Sequence, residues 1–363
     1  MLNLSTSITK RKDGRYMGRF IIGHDKNQKP QYQYVYGETY EEAEKRLIIG
    51  KEIELRYLSG KNITVAEVYQ EWLNSVANRV KESTYANYKV KFEKHILPEF
   101  SNTLCCDLSA GKINEFINVK LDEGLSAGYV KDIFTVFKSM LKYAQEEYDF
   151  KISLKNVVLP KTEKKKSEKI SDTKQKLLVT YLKNHMNLTA LGILISLFMG
   201  LRIGELCGLK WSDVDFKNKI LHIHRTVQRI SIENGSKKTK IITSAPKSET
   251  SFRSISIPDF LMEYFEKFRN SDDFYILSGS EKVVEPRCMQ YRYKKILKAA
   301  CAGNYNFHKL RHTFATNCIQ SGFDTKTLSV ILGHSSINMT LTRYVHPDYS
   351  YERRLMNSMC MLF

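Results

Sequence analysis

The hydrophobic pattern changes period along the chain. From Arg15 to Ile22 it alternates: Arg15, Met17, Arg19 and Ile21 share one face, and Tyr16, Gly18, Phe20 and Ile22 share the other. Lys12-Asp13-Gly14 is a turn signal before this run. A polar loop from His24 to Pro30 follows it, and Tyr32, Tyr34 and Tyr36 alternate again in QYQYVY. Residues 1–36 therefore predict a small three-stranded sheet. Thr39 and Glu42 have capping-box spacing, so a helix should start there and run to about Tyr57. From residue 61 the period becomes helical. Thr64 and Glu67 form a second capping box. Tyr85, Tyr88, Phe92 and Ile96 make a stripe that Pro98 should end. Ile113, Phe116 and Ile117 mark a further helix, and Val130, Ile133, Phe134, Phe137, Leu141 and Ala144 mark another. Such stripes read as core. The predicted fold class is mainly α with small β elements (α+β). It comprises a sheet-plus-helix domain over 1–57, a helical module over 61–148, a linker over 151–170 and a mostly helical domain with a short strand pair over 171–363.

Charge adds a partner to this picture. The 363 residues carry a formal net charge of +18 and 42% hydrophobic residues, enough for real cores. Self-repulsion on that scale needs a counterpart, and nucleic acid is the commonest polyanion. Residues 1–29 hold seven Lys/Arg against two Asp/Glu, among them Lys10, Arg11, Arg15 and Arg19. A solvated face is the ordinary explanation, but a two- or three-stranded ribbon fits the DNA major groove, so these four residues are candidate DNA contacts. The linker has seven lysines and two glutamates, and it reads as an extended connector or as a strap along a phosphate backbone. Seven cysteines, none in a C-x-x-C pair, suggest reduced thiols in a cytosol. The N-terminus lacks an apolar signal core, and the longest apolar stretch, Leu191 to Leu201, is too short to span a bilayer. A cytoplasmic, DNA-associated protein without membrane contact is expected.

Four patterns in the last domain carry candidate chemistry: GLRIGEL (200–206), a β-hairpin region in which ITSAPKSETSFRSISIP places Lys247 before an alternating strand, HKLRHTFAT (308–316) and LGHSSINMTLTRYVH (332–346). Singly, each has an ordinary explanation. Arg202 can pair with Glu205, Lys247 can be one more surface lysine, and Tyr344 is one of 21 tyrosines. His308 and His312, four apart on a helix, lack the intervening Glu and a third ligand that a zinc site needs. Together the patterns fit phosphodiester transesterification. Arginines and histidines can hold the negative charge that develops on non-bridging oxygens. A lysine can protonate a departing 5′-oxygen, and a tyrosine hydroxyl can attack phosphorus. This chemistry requires no metal or nucleotide, and no cofactor is expected.

In these residues the chain resembles the tyrosine recombinase (phage integrase) family, and the resemblance runs its whole length. The family's arginine, lysine, histidine-x-x-arginine pair, second histidine and tyrosine fall, in order, on Arg202, Lys247, His308, Arg311, His334 and Tyr344. The ordered set is far more specific than any one motif. The resemblance implies a helical core-binding domain over 61–148 and a catalytic domain over 171–363. It also implies an arm-type DNA-binding domain over 1–57 of the kind found in integrases of conjugative transposons and some phages, which points to a mobile genetic element. It further implies double-stranded DNA attachment sites as substrate, a 3′-phosphotyrosyl intermediate, a Holliday junction, a homotetramer on DNA and a C-terminal tail that packs in trans. An excisionase and a DNA-bending protein are compatible accessory partners. A resolvase, a type IB topoisomerase-like nicking-closing enzyme and a non-catalytic DNA-binding protein on the same fold are the alternatives.

Overall fold

The computed structural model describes residues 8–24, 29–61, 63–149, 152–162, 169–232, 238–244, 252–344, 353 and 356–357. These fall into two compact units, Met1–Lys164 and Lys165–Phe363.

The first unit opens with an antiparallel sheet of β1 (Ile8–Lys10), β2 (Tyr16–His24) and β3 (Pro30–Gly37), in the order β1-β2-β3. Alternation sorts the faces as the sequence predicts. Phe20 is buried with Ala43 and Leu47 of α1 (Tyr40–Lys61), and Gly18 lies close to the Leu47 side chain. On the opposite face Met17 pairs with Tyr36, Arg19 with Tyr34 and Ile21 with Tyr32. Thr39 does cap α1, accepting the Glu42 N–H at 3.2 Å, but the Glu42 carboxylate reaches back to the Glu38 N–H rather than to that of Thr39. The helix continues to Lys61, one turn past the predicted end.

The helical part holds α2 (Val65–Ala77), α3 (Glu82–Lys91), α4 (Leu97–Phe100), α5 (Ala110–Asp122) and α6 (Ala127–Tyr148). Its centre is aromatic: Tyr69 stacks on Phe92 with ring centroids 4.6 Å apart, and Phe100 stacks on Phe137 at 5.4 Å. The Thr64–Glu67 capping box forms as predicted. Pro98 does not stop the helix before it. Residues Phe92–Ile96 widen into a π turn, with the Leu97 N–H donating to the Phe92 carbonyl. A wider turn before a proline redistributes the carbonyls that its missing N–H would leave unpaired, and α4 carries on to Phe100. The chain read as an extended linker is pinned where it leaves this module. Asn114 on α5 donates to the Asn156 carbonyl and accepts from the Val158 N–H, while Ile152 is buried.

The second unit begins with Ile170 fully buried, its N–H on the Thr313 hydroxyl at 3.0 Å. It contains α7 (Asp172–Asn184), α8 (Leu188–Met199), α9 (Ile203–Cys207), β4 (Val214–Asp215), β5 (Ile220–Ile223), β6 (Thr226–Ser231), β7 (Thr239–Ser244) and β8 (Arg253–Ser256). Then follow α10 (Asp259–Phe268), α11 (Pro286–Ala299), α12 (His308–Gln320), α13 (Thr325–Leu332) and α14 (Ile337–Tyr344). Helix α8 is apolar on all sides because it is the core: Leu191, Ile193, Leu194, Ile195 and Leu197 are each at most 1% exposed. Among the described residues no helix is long and apolar enough to cross a membrane. The expected strand pair is larger in fact. β4, β5 and β8 form one sheet, and β6 pairs with β7 in a separate hairpin. The strand after Lys247 is therefore β8, which pairs with β5 rather than closing a hairpin around the lysine.

Candidate active site

Two glycines set the frame of the site. Gly200 ends α8 at φ +71°, and a Cβ there would lie 2.4 Å from the Phe314 ring. Gly333 ends α13 at φ +61°. Both occupy the left-handed region that glycine enters without cost, and both let the chain reverse sharply at a helix C-terminus. After Gly200 the chain buries Leu201 and brings Arg202 to the start of α9. After Gly333 comes His334, whose N–H returns to the Ser329 carbonyl.

The C-terminus of α13 is gripped by arginines. Arg253 Nε donates to the Ile331 carbonyl at 2.6 Å, Arg311 Nη2 to that of Leu332 at 2.7 Å, and Arg202 Nη2 to that of Gly333 at 3.0 Å. Arg311 Nη1 also donates to the Gly200 carbonyl at 2.9 Å, so one side chain spans both glycine caps. Unpaired carbonyls carry the negative end of a helix dipole, and a guanidinium is a suitable partner for them.

Glu205 lies between two of these arginines. Its Oε1 accepts from Arg202 Nη1 at 2.7 Å and Arg253 Nη1 at 3.1 Å; its Oε2 accepts from the Arg202 N–H and Arg253 Nη2, both at 2.9 Å. Burial alone would raise the Glu205 carboxyl. Hydrogen bonds and charge from Arg253, with the charge of Arg202, outweigh burial and hold it down at about 2. The side chains of Glu205 and Arg253 are each 3% exposed, whereas that of Arg202 is 36% exposed. Arg202 thus has an open side.

Two further predicted residues, His308 and His334, adjoin this cluster in the chain. His308 is the first residue of α12 and is exposed, one turn before Arg311, which is 2% exposed. His334 is buried, with Nδ1 2.8 Å from the hydroxyl of the fully buried Thr340. Thr340 lies on α14, one helical turn before Tyr344, the last residue of that helix. The side chain of Tyr344 is outside the described residues, as are Lys247 and most of the C-terminal tail. Sequence reasoning missed Arg253 and Thr340, and it took Glu205 only as an ordinary ion-pair partner of Arg202.

At the N-terminal sheet the guanidinium of Arg19 sits 4.7 Å from the Tyr32 ring centroid, and those of Arg11 and Arg15 lie 5.3 Å and 5.9 Å from that of Tyr36. Arg15 is also held by the Asp13 carboxylate at 3.0 Å. Lys10 stands apart. It pairs with Tyr16 across β1 and β2, and so shares the face of Tyr16, Gly18 and Phe20 rather than that of Arg19.

A model of the Phage integrase family matches residues 163–351. The chain belongs to this family. A second model, the phage integrase N-terminal SAM-like domain, matches residues 64–121, within the helical part of the first unit. The tyrosine recombinase XerC-like protein of Caldanaerobacter subterraneus subsp. tengcongensis is 30% identical over 94% of both chains. The transposase from transposon Tn916 of Enterococcus faecalis is 25% identical, over 95% of this chain and 92% of the relative. The ICEBs1 integrase of Bacillus subtilis is 22% identical over 94% and 95%. Among solved structures, the Tn1549 transposon integrase in complex with transposon right-end DNA has a TM-score of 0.64 at 21% identity, covering 82% of this chain and all of that one. A lambda integrase dimer bound to a core site has a TM-score of 0.59 at 19% identity, covering 94% and 96%. These two likenesses show a shared tyrosine recombinase fold. The chain is a tyrosine recombinase of the integrase type.

Proposed function

We propose that the protein integrates and excises a mobile genetic element by cutting and rejoining DNA through a phosphoester to Tyr344. The Tyr344 oxygen attacks the scissile phosphorus, the bond to the 5′-oxygen breaks, and a 3′-phosphotyrosyl bond keeps the phosphodiester energy. Lys247 protonates the departing 5′-oxygen. A 5′-hydroxyl from the partner duplex then reverses the step, which gives a Holliday junction and, after a second round, recombinant DNA. Arg202, Arg311, His308 and His334 stabilise charge on the non-bridging oxygens. The observation that carries this reading is the open side of Arg202. Its other contacts fix the guanidinium against Glu205 and Gly333, so it meets a phosphate already oriented. Arg311, 2% exposed, donates to the Gly200 and Leu332 carbonyls and so ties together the two helix ends that frame the site.

Relatives of the same fold solved with transposon-end and core-site DNA support the DNA substrate, and a lambda integrase tetramer solved on a Holliday junction supports the tetramer. The aromatic and basic face of β2 and β3 is assigned to arm-type DNA, residues 61–148 to core-site DNA and the second unit to cleavage. A plasmid carrying two copies of the junction DNA that flanks the coding element tests this. Recombinant circles with a defined crossover point are expected, and sequencing maps the cleavage site. Relaxed plasmid without recombinants would instead identify a nicking-closing enzyme.

A further inference from the structure

The geometry points to Arg253 as a positioning residue that keeps Arg202 available to the scissile phosphate. This rests on the phosphate-binding role proposed for Arg202. What separates Arg253 from the phosphate-binding arginines is its counter-ion: both prongs of its guanidinium fork onto the Glu205 carboxylate, which balances its charge, and its Nε is on the Ile331 carbonyl.

Charge balance makes the case. Glu205 is buried and ionised, and Arg202 is its neighbour three residues back. A buried carboxylate facing a single arginine draws that guanidinium into a two-pronged pair, because an unpaired charge in the interior is expensive. Arg202 would then turn both prongs inward and have little left for a phosphate. Arg253 prevents this by supplying the second cation. It forks onto both Glu205 oxygens, so Arg202 needs only Nη1 there and has Nη2 for the Gly333 carbonyl. Two arginines around one carboxylate leave one net positive charge, on the side where Arg202 is open.

The same residue fixes the helix end. Arg253 holds Ile331, next to the carbonyls that Arg311 and Arg202 hold, and His334 follows directly. Strand β8 delivers Arg253 at this point because its inward positions, Arg253 and Ile255, are both buried, as is Ile257 just beyond its end. The strand therefore anchors the loop that carries His334 while setting the charge of the arginine opposite.

The test compares cleavage of two nicked duplexes carrying the site mapped in the plasmid assay. One has the natural phosphodiester, and the other has a methylphosphonate at the scissile position, which removes the negative charge that Arg202 is proposed to meet. On the phosphodiester, Arg253→Lys is expected to bind DNA within about twofold of the parent and to form adduct roughly tenfold or more slowly, since an ammonium cannot fork a carboxylate. On the methylphosphonate the gap should shrink to about threefold, as it should for Arg202→Ala, because both defects act on one phosphate charge. Equal slowing of Arg253→Lys on both substrates, or no slowing, would overturn the proposal while leaving the Tyr344 reading intact. Absence of adduct from the parent on the phosphodiester would remove that reading and the proposal with it. Should Arg253→Lys unfold below the assay temperature, the pair Arg253→Met and Arg253→Met/Glu205→Gln decides. The double variant leaves no unpaired buried carboxylate, so it is expected to melt higher and cleave faster than the single one. A double variant as slow as the single one would contradict the mechanism.

Discussion

A buried carboxylate is legible in sequence only through its partners, and those of Glu205 come from two places. Arg202 lies three residues back, and the pair was readable as a local ion pair. Arg253 lies 48 residues on, and nothing near Glu205 announces it. A signal did exist: in Phe252-Arg253-Ser254-Ile255-Ser256-Ile257 the arginine is in phase with the inward isoleucines, a position where an unpaired charge is not tolerated. Thr340 was equally hidden, because a threonine in a helix says nothing until His334 is seen beside it. Acid behaviour tests the cluster. The Glu205 carboxyl is depressed to about 2 in the folded protein, so its contribution to stability is complete above the unfolded value of roughly 4.3 and is lost as pH falls toward 2. Urea unfolding between pH 5 and pH 2.5 should show stability of the second unit falling in this window. Glu205→Gln should start lower at pH 7, by about 3 kcal/mol, having lost a buried charged partner. It should also fall less steeply, by up to ~1.4 kcal/mol per pH unit. An unchanged slope would mean that Glu205 is not held ionised.

Among the elements, period and capping located α1, α2, α3, α5 and α6, because each buries a stripe whose spacing sequence displays directly. The misreadings share a cause: they concern pairings between distant segments. Pro98 was taken as a stop, since the π turn that admits it is favoured by burying Phe92 and Ile96 in the module core. The strand after Lys247 was given to a hairpin, whereas β8 adds to β5 and buries Ile255 in the core of the second unit. The N-terminal sheet was legible in its faces, since alternation alone separates Phe20 from Arg19. What alternation did not convey is the side on which Lys10 falls, because that depends on the β1–β2 register. This gives a contrast within one element. Arg19→Ala should weaken binding of the sheet-bearing protein to arm-type DNA about tenfold, the ~1–3 kcal/mol expected for an arginine at base edges. Lys10→Ala, on the other face, should change it less than twofold. A gel-shift series in which the two fall equally would place the DNA elsewhere.

At the scale of the molecule, each region has its own sequence pattern: alternation, helical stripes, a basic stretch and then the four motifs. The charge of +18 pointed to a polyanionic partner before any fold was known. Family membership, shown by the matches over 64–121 and 163–351, joins the helical module to the second unit in one architecture. The basic stretch between them was less legible. Its composition suggested one extended connector, but Ile152 and Ile170 are apolar anchors buried in different units. The central claim is that this architecture delivers a phosphodiester to Tyr344, at the end of the helix whose Thr340 touches His334. The most direct measurement is covalent trapping on a nicked duplex carrying the mapped site, read on denaturing gels and by mass spectrometry of the DNA-linked peptide. The parent protein should yield a 3′-linked adduct on the peptide containing Tyr344. Tyr344→Phe should bind the same DNA with near-normal affinity and yield none, while Tyr349→Phe and Tyr351→Phe still do. An adduct that persists in Tyr344→Phe, or maps to another tyrosine, would contradict the account.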